Sequence, residues 1–498
     1  MKYLLGYDLG SSSIKATLVD AGTGQVVASA QSPSEEMPML AVHAGWAEQD
    51  PEMWWEHAVK ALQTCLKKSG INGADIAAIG ISYQMHGLVC VDKDQKALRP
   101  SIIWCDSRAV EIGKKAFQQL GADYSLQHLL NSPGNFTASK LRWVKENEPQ
   151  VFERIYKIML PGDFLAMRLT GDIVTTASGL SEGMFWDYEA EAPSKKLLEL
   201  YGIPADLLAT QAPTFSIQGK VKKDIAAQLG LQEGTPVSYR AGDQPNNAFS
   251  LNVLNPGETA ATAGTSGVIY SVTDKNAYDK KSRVNTFIHV NDKRPAKSNG
   301  VLLCINGTGI LNSWLRKNLK SKGESFGYDE INSIAANAPI GADGLTVLPF
   351  GNGAERVLED KNINSTFYGL NFNRHSQSHV FRAAQEGIVF ALKYGFDVLQ
   401  GMGLKTNVIR AGNANMFLSP LFREAFVNTI GARLELYDTD GSKGAALGAG
   451  VGAGIYTSFE EAFKGLKIIK SEEPDADKAN AYKEAYGNWL RLLEGQLK

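Results

Sequence analysis

The chain has 498 residues, of which 44% are hydrophobic and 21% charged, so it is long enough for two or three globular domains. Its 51 basic and 53 acidic residues are interleaved and leave a net charge of −2, which argues against nucleic acid or an anionic membrane as the main partner. The four cysteines show neither CxxC spacing nor disulfide density, so we expect a reducing, cytoplasmic location.

Three short strands are predicted at the start of the chain. Residues 3–31 alternate strand-like runs with the turns LGSS and DAGTG, and the first run, YLLGYD, does not resemble a secretory signal. The most apolar stretch, residues 444–455, is about half of the ~20 residues that a bilayer span needs. We therefore predict a strand meander and no membrane partner.

A similar arrangement recurs near the middle of the chain. The strand ETAATAG, the turn GTSG and the strand VIYSV precede the strand-like runs NTFIHV and VLLCI. Helical periodicity occurs in both halves, as in PEMWWEHAVKALQTCLKKS and SPLFREAFVNTIGARL. We interpret the halves as a duplicated α/β unit, with domains at residues 1–249 and 250–498, close to the turn signal at Asn255-Pro256-Gly257. The charged segment from Thr457 onward predicts a closing helix outside any site.

Two glycine-rich turns are the first candidate functional features. Asp8 lies where the first strand enters a turn containing Ser11 and Ser12, whose N–H groups could bind phosphate while the carboxylate holds hydrated Mg²⁺. Taken alone, such an Asp is usually part of the turn itself. The repeated turn at Gly264 and Thr265 favours two turns that face each other across a cleft. They would form a phosphate clamp without the GxxxxGK[ST] motif, which the sequence lacks.

Asp243 is a candidate general base. In TPVSYRAGDQPNNAF it follows a strand and precedes a helix with Pro245 in its first turn, so a helix N-cap is the simplest interpretation. The two roles are compatible, because a carboxylate at the carboxyl end of a strand can accept a proton from a hydroxyl bound in the cleft.

Two further segments leave their roles open. Met85 and His86 lie at a turn between apolar strands, where core packing is the common role and a substrate contact is the alternative. In WCDSR, which contains Trp104, Asp106 and Arg108, the sequence predicts either a surface ion pair or the wall of a polar pocket.

Two glycine-rich segments of the second half are candidates for ligand contacts. VIRAGNANMFLSPLF predicts a strand, a loop and a helix, with adenine or ribose beside Gly412. GAALGAGVGAG, from Gly444 to Gly454, has a loose GxG match but lacks the second strand of a dinucleotide fold. For it we predict a small-residue helix that packs closely on its neighbours and has its N-terminus near a ligand.

The order of these motifs resembles that of the FGGY carbohydrate kinases. It runs GYDLGSSSIKATLVD, QMHG, WCDSR, LPGDFLAMRLTG, AGDQPNNAF, TAGTSG and GNAN, and it extends from Tyr3 to about Tyr456. QMHG and LPGDFL are most similar to the members of the family that phosphorylate D-xylulose. The sequence departs from the family signatures at Asn135 and Gln385. The residues similar to the signatures are Thr137, Lys140, Leu141 and Trp143 for the first, and Ser365, Phe367, Gly369 and Leu370 for the second.

The resemblance implies two duplicated actin-like, ribonuclease-H-like ATPase domains with a catalytic cleft between them. It also implies ATP and Mg²⁺ as cofactors and D-xylulose as the sugar substrate, with a homodimer open as an assembly. Because Asp243 is followed by Gln244-Pro245-Asn246 where D-xylulose kinases commonly have Asp-Asn, ribulose and glycerol stay open as substrates. A non-catalytic, actin-like nucleotide-dependent binding protein is the alternative from another class.

Carried over residue by residue, the resemblance implies a site at the cleft. Asp243 would be the general base and Asp8 the acid beside phosphate, with both as Mg²⁺ ligands. The expected sugar contacts are Met85, His86, Trp104, Asp106, Asp243 and Asn246. The expected nucleotide contacts are Ser11, Ser12, Gly264, Thr265, Gly309, Gly412, Asn413 and Asn415.

Overall fold

Two large mixed β-sheets organise the chain, which the computed structural model describes over residues 2–320 and 324–498. The strands of the first sheet are β1 (Tyr3–Leu9), β2 (Ile14–Asp20), β3 (Val26–Ser32), β4 (Ile76–Tyr83), β5 (Phe215–Lys220) and β6 (Pro236–Gly242). Those of the second are β7 (Thr259–Ala263), β8 (Gly267–Thr273), β9 (Asn285–Ile288), β10 (Asn299–Ile305), β11 (Val408–Gly412), β12 (Arg433–Tyr437) and β13 (Ile468–Glu472).

Short two-stranded ladders and helices surround these sheets. The ladders pair Glu48–Gln49 with Ser101–Ile102, Val89–Val91 with Lys157–Met159, Val174–Thr175 with Thr210–Gln211, Trp186–Asp187 with Ala192–Pro193, and Thr346–Phe350 with Asn364–Tyr368. The first-half helices of six or more residues are α1 (Pro51–Ser69), α2 (Val110–Leu120), α3 (Thr137–Asn147), α4 (Pro161–Thr170), α5 (Ala177–Glu182), α6 (Lys195–Tyr201), α7 (Lys223–Leu229) and α8 (Asp243–Ser250). The corresponding second-half helices are α9 (Gly309–Asn318), α10 (Tyr328–Ala335), α11 (Gln377–Gly401), α12 (Pro420–Ile430), α13 (Gly441–Gly452) and α14 (Ala476–Leu497).

The two sheets share one central strand order, an antiparallel three-stranded meander beside two parallel strands, and the second sheet has the additional edge strand β9 beside β10. The first has the order β5-β6-β4-β1-β2-β3, in which β1 to β3 form an antiparallel meander and β4 and β6 run parallel to β1. The second has the order β9-β10-β8-β7-β11-β12-β13, in which β7, β8 and β10 form the meander and β11 and β12 run parallel to β7. In both sheets an antiparallel edge strand follows, β5 beside β6 and β13 beside β12. The duplicated α/β fold is confirmed.

The first sheet is covered by helices on both faces, and its sequence reflects this. β4 reads IAAIGISY and is buried along nearly its whole length, as expected for a strand between two helical layers. On one face, α1 packs against β2 and β3. The helix begins after Asp50, whose side chain accepts the N–H of Glu52, and it ends at Gly70, whose positive φ of 68° closes the last turn.

The other face is covered by α13, which belongs to the second half of the sequence. Small residues on both elements let the helix backbone lie directly on the strands. A Cβ atom on Gly6 would overlap the carbonyl oxygen of Ser442, and one on Gly80 would overlap that of Ala445. The predicted close packing of this small-residue helix is confirmed.

The C-terminal segment differs in part from the sequence prediction. The closing helix is present as α14, and it docks through Trp489, whose buried indole donates a hydrogen bond to the carbonyl of Val347 at 2.9 Å. The preceding strand β13 was not predicted, because its sequence IIKSE is largely exposed at the edge of the sheet and shows no buried alternation. The domain boundary at residues 249 and 250 stays a prediction. In the described residues, no helix is both long and apolar enough to cross a membrane.

Candidate active site

Two carboxylates lie at the carboxyl ends of strands of the first sheet. Asp8 is near the end of β1, opposite Ser82 of β4, and Asp243 is the first residue of α8, directly after β6. Because β1, β4 and β6 are parallel neighbours, their ends share one edge of the sheet. The structure therefore brings the two predicted acids together. Gly242 is the N-cap of α8, so the N-cap interpretation of Asp243 is wrong by one residue.

Burial and nearby negative charges raise the pKa of both Asp8 and Asp243. Burial raises the pKa of Asp243 to about 7, and the negative charge of Asp8 contributes to the rise. The pKa of Asp8 is raised to about 6, mainly by burial. The charge of Asp440 also raises this pKa, whereas the Ser82 hydroxyl and Lys15 lower it. A carboxylate whose pKa lies near 7 is well matched to accept a proton at neutral pH.

A third acid reaches this edge from the second half of the chain. Asp440 is the N-cap of α13, where it accepts the N–H of Lys443, and its carboxylate pairs with Lys15 of β2 at 2.5 Å. A Cβ atom on Gly441 would lie 2.5 Å from Oδ2 of Asp8, so glycine allows the N-terminus of α13 to approach Asp8. Sequence reasoning missed Asp440, although an acid directly before a small-residue helix is a recognisable N-cap signal.

Oxygen donors next to the two acids suit a hard cation. Asn246 is fully buried on α8, its Nδ2 donates to the carbonyl of Gly441 at 2.8 Å, and its Oδ1 has no hydrogen-bond partner among the described residues. The part of the chain that the structure describes contains no group of three or more His, Cys, Asp and Glu side chains that could hold a metal ion. Mg²⁺ usually takes one or two carboxylates together with water and substrate phosphates, so Asp8 and Asp243 fit it.

The Met85–His86 turn follows β4 as predicted. The backbone of His86 has a positive φ of 62°, and its Nδ1 donates to the carbonyl of Glu182 at 2.9 Å. Because a carbonyl can only accept, Nδ1 carries the proton and Nε2 keeps its lone pair. Burial lowers the pKa of His86 to about 3, so the ring is neutral near pH 7. Its Nε2 can therefore accept a hydrogen bond from a hydroxyl.

Lys140, one of the residues similar to the first family signature, is buried and links two loops. Its Nζ donates to the carbonyls of His86 and Ile103, both at 2.9 Å. Burial lowers the pKa of Lys140 to about 7. The ammonium group thus joins the segments QMHG and WCDSR through their backbones.

Glu182 is a site residue that sequence reasoning missed. It is buried in α5, and a Cβ atom on Gly242, next to Asp243, would overlap its carboxylate. Burial raises the pKa of Glu182 well above its usual value, and the charges of Asp243 and Asp163 raise it further. Nothing in the local pattern GLSEGMFW marks this glutamate, because its neighbours come from distant parts of the sequence.

The WCDSR segment contains a buried ion pair beside an exposed tryptophan. Asp106 and Arg108 pair at 2.7 Å with side chains that are 0% and 1% exposed, so the surface ion pair is wrong. Asp106 also accepts the N–H of Ala47 at 2.6 Å, which leaves its carboxylate fully engaged within the protein. Trp104 is 44% exposed, and its Nε1 lies 3.4 Å from Oγ of Ser11 in the first glycine turn. The sugar contacts of Trp104 and Asp106 stay predictions.

The second glycine turn forms one unit with the N-terminus of α9. It joins β7 to β8, as the turn after Asp8 joins β1 to β2. The N–H of Gly309 donates to the carbonyl of Gly264 at 2.9 Å, and that of Ile310 to Thr265 at 3.2 Å. A Cβ atom on Gly264 would lie 3.6 Å from Nδ2 of Asn415. Four of the predicted nucleotide contacts are thus neighbours.

The remaining predicted nucleotide contacts lie at two places. Gly412 ends β11, and the N–H of Asn413 donates to the carbonyl of Tyr437 at 2.9 Å, where β12 ends. Ser11 and Ser12 lie in the turn between β1 and β2, where the carbonyl of Ser11 accepts a hydrogen bond from the Gln49 amide at 2.7 Å. Whether these residues contact a nucleotide stays a prediction.

A duplicated sheet-and-helix unit with acids at its strand ends and matching glycine turns has the architecture of an actin-like phosphotransferase. The N-terminal domain of the FGGY family of carbohydrate kinases matches residues 3–250, and the C-terminal domain of that family matches residues 259–455. The chain therefore belongs to the FGGY family and is an ATP-dependent carbohydrate kinase. The resemblance seen in the motifs is confirmed.

Similar proteins cover the chain almost completely. The xylulose kinase of Bacillus subtilis is 30% identical over 494 residues, which are 98% of this chain and 95% of that protein. The crystal structure of xylulose kinase from Rhodospirillum rubrum is 26% identical, with a TM-score of 0.87 and 99% of each chain covered. The glycerol kinase of Plasmodium falciparum with ADP is 21% identical, with a TM-score of 0.86 over 100% of this chain and 99% of that one, which shows the fold alone.

Proposed function

We propose that this protein transfers the γ-phosphoryl group of ATP to D-xylulose and forms D-xylulose 5-phosphate. The observation that carries the proposal is Asp243, a carboxylate at a strand end whose pKa is raised to about 7 beside a second acid. The similarity to xylulose kinases over nearly the whole chain supports the choice of sugar.

In the proposed reaction, Asp243 accepts the proton of the sugar hydroxyl as its oxygen attacks the γ-phosphorus. A new P–O bond forms, the bond from the γ-phosphorus to the bridging oxygen breaks, and ADP leaves. Asp8 and Asp243 would hold Mg²⁺, which supplies positive charge that aligns and neutralises the phosphates. His86 is suited to accept a hydrogen bond from another sugar hydroxyl through Nε2, and Met85 supplies an apolar wall.

The nucleotide is assigned to the second domain and the first glycine turn. Backbone N–H groups near Ser11 and Ser12 would contact the terminal phosphates, and Gly264, Thr265 and Gly309 would contact the rest of the phosphate chain. Gly412, Asn413 and Asn415 would lie beside the nucleoside. The contact between the second glycine turn and α9 supports this assignment because it brings Gly264, Thr265 and Gly309 together. We place the domains at residues 1–249 and 250–498, which the family matches support.

Another ketose or polyol is the second candidate substrate. Asn246 lies one helical turn beyond Asp243 rather than next to it, so the hydroxyl contacts can differ from those of a typical D-xylulose kinase. D-ribulose and glycerol are the specific alternatives.

An ADP-release assay over a panel of acceptors tests this proposal. D-xylulose, D-ribulose and glycerol are each offered with MgATP, and kcat/KM is compared. We expect D-xylulose to give the highest kcat/KM. A higher value for D-ribulose or glycerol would replace the sugar but keep the reaction, whereas ADP release that depends on none of the acceptors would contradict a sugar kinase with this specificity.

A further inference from the structure

A short turn in the second domain contacts structures on both sides of the cleft. It begins at Glu355 and continues as a short helix, Arg356–Leu358. Val357 and Leu358 are buried in the core of the second domain, which anchors the turn. The side chains of the two adjacent residues, Glu355 and Arg356, contact different loops.

Glu355 holds the loop that leads into α9. Its carboxylate is fully buried and accepts the N–H of Asn306 at 3.0 Å and the N–H of Gly307 at 3.1 Å. Two residues later, Gly309 begins α9 and bonds to Gly264 of the second glycine turn. Glu355 thus supports the loop on the proposed nucleotide side.

Arg356 reaches the first domain. Its Nη2 lies 2.7 Å from the position of a Cβ atom on Gly134, so the guanidinium group packs directly on the backbone of that glycine. Two residues later in the same loop, the ring of Phe136 lies edge-on to that of His86, with centroids 4.8 Å apart. The Arg356 charge also contributes to the lowered pKa of His86. Arg356 thus supports the loop on the proposed sugar side.

We propose that Arg356 is a positioning residue that couples binding of the sugar to binding of the nucleotide. The inference rests on the proposed function. Glu355 and Arg356 are adjacent on an anchored turn, so a nucleotide that orders the Asn306–Gly309 loop also fixes the guanidinium group against Gly134. That contact holds Phe136 and His86 in the arrangement that receives the sugar. Linkage is reciprocal, so the sugar must strengthen nucleotide binding by the same factor.

Calorimetry measures the coupling directly. The Kd of D-xylulose is determined with and without saturating MgADP, which binds without turnover. We expect the sugar to bind about 5-fold or more tightly in the presence of MgADP, within the usual range of coupling between sites. In Arg356→Ala this ratio should fall below about 2-fold, while binding of each ligand alone persists, because Arg356 is assigned to neither ligand.

Two further variants guard the interpretation. Arg356→Lys keeps the positive charge but removes the planar guanidinium group, so it should also lower the ratio. This variant replaces the alanine variant if the latter fails to fold. Lys281→Ala is the matched control, since Lys281 pairs at 2.8 Å with Glu359, the residue that ends the same short helix, and should leave the ratio unchanged. A ratio near one in the unaltered protein, or an unchanged ratio in both Arg356 variants, would overturn the proposal. If the acceptor panel identifies another sugar, the proposed function changes and the same ratio is measured with that sugar.

Discussion

At the residue scale, the proposed chemistry depends on two partly buried aspartates at adjoining strand ends. An ordinary aspartate would be a weak base at neutral pH, but burial raises the pKa of Asp243 to about 7 and that of Asp8 to about 6. The charge of Asp8 makes ionisation of Asp243 less favourable, and the charge of Asp440 does the same for Asp8, so this group of carboxylates favours a bound cation. The raised pKa values thus suit the two carboxylates both to accept a proton and to bind a cation.

Asp8 is expected to act on the phosphate rather than on the sugar. In Asp8→Ala the sugar contacts near His86 remain, while the acid that would help to hold Mg²⁺ and phosphate is lost. Turnover should therefore fall much more than sugar affinity. Steady-state kinetics and calorimetry with the sugar alone measure the two effects. Loss of sugar binding with unchanged turnover would contradict this role.

The protonation of Asp243 should respond to Mg²⁺. A difference titration between the unaltered protein and Asp243→Asn, with a chelator present, should show one extra group with a midpoint near pH 7. Added Mg²⁺ should move that midpoint to lower pH, because a cation favours the ionised carboxylate. A midpoint near the ordinary value of about 4 without metal would show that Asp243 is not a tuned base.

Sequence reasoning placed four candidate residues correctly relative to the strands and turns. Asp8, Met85, His86 and Asp243 all lie next to strand ends or turns, where alternation and glycine reveal the boundary. Glu182 could not be found in this way, because its burial beside Asp243 arises only when α5 packs near the end of β6. Asp106 was assigned to the surface as one alternative because nothing in WCDSR indicates that the N–H of Ala47, from a distant segment, would meet its carboxylate.

At the element scale, the contact between α13 and the first sheet joins the two halves of the chain. The helix brings Asp440 to Asp8 and Lys15, so its close approach also shapes the site. This approach requires residues without side chains at the contact, as at Gly80 of β4, where a Cβ atom would overlap the carbonyl of Ala445.

Gly80→Ala should destabilise the protein, whereas Gly495→Ala should not. A methyl group at Gly80 meets backbone atoms that cannot rotate away, and overpacking of this kind costs roughly 1–3 kcal/mol. Gly495 is the matched control, because it lies in α14 with open space around its Cβ position, and alanine is the better helix former by up to about 1 kcal/mol. Urea unfolding midpoints compare the two variants. Equal midpoints would refute the proposed tight contact.

Elements with a clear hydrophobic pattern or clear turn signals were predictable from the sequence. Elements that form only by pairing with a distant segment were not. β1 and β2 are largely buried strands bounded by clear turn signals, whereas β13 is exposed along most of its length and needs β12 to form. Gln385 shows the same limit within α11. It departs from the family signature, yet it is buried with both amide ends bonded, to Asn332 at 3.1 Å and to Ser419 at 2.8 Å. A polar core residue with partners from two other segments cannot be inferred from its own helix.

At the scale of the whole molecule, the proposed reacting groups come from both halves of the sequence and would meet across the proposed cleft. In this proposal the first half supplies Asp8, His86 and Asp243, and the second half supplies the glycine turn at Gly264 and the N-terminus of α9 at Gly309. Binding of a sugar should therefore favour closure and exclude water from the phosphate.

A sugar without its accepting hydroxyl should reveal this closure. The analogue 5-deoxy-xylulose is expected to bind and close the cleft, so that water in the vacant position is phosphorylated slowly in its place. ATP hydrolysis should rise while no sugar phosphate forms, and Asp243→Asn should abolish the increase because the same base serves water. If saturating analogue, shown bound by calorimetry, changed neither ATP hydrolysis nor the scattering-derived radius, closure would be ruled out.

The central claim is that Asp243 accepts the proton while phosphate passes from ATP to the sugar. The most direct measurement is the rate of D-xylulose 5-phosphate formation from D-xylulose and MgATP, with the product compared to authentic material. The unaltered protein and the exposed control Asp94→Asn should form it at the same rate, and Asp243→Asn should be slower by at least ~100-fold with the fold intact, the usual scale for loss of a general base. A folded Asp243→Asn variant that keeps more than about a tenth of the rate would contradict the claim.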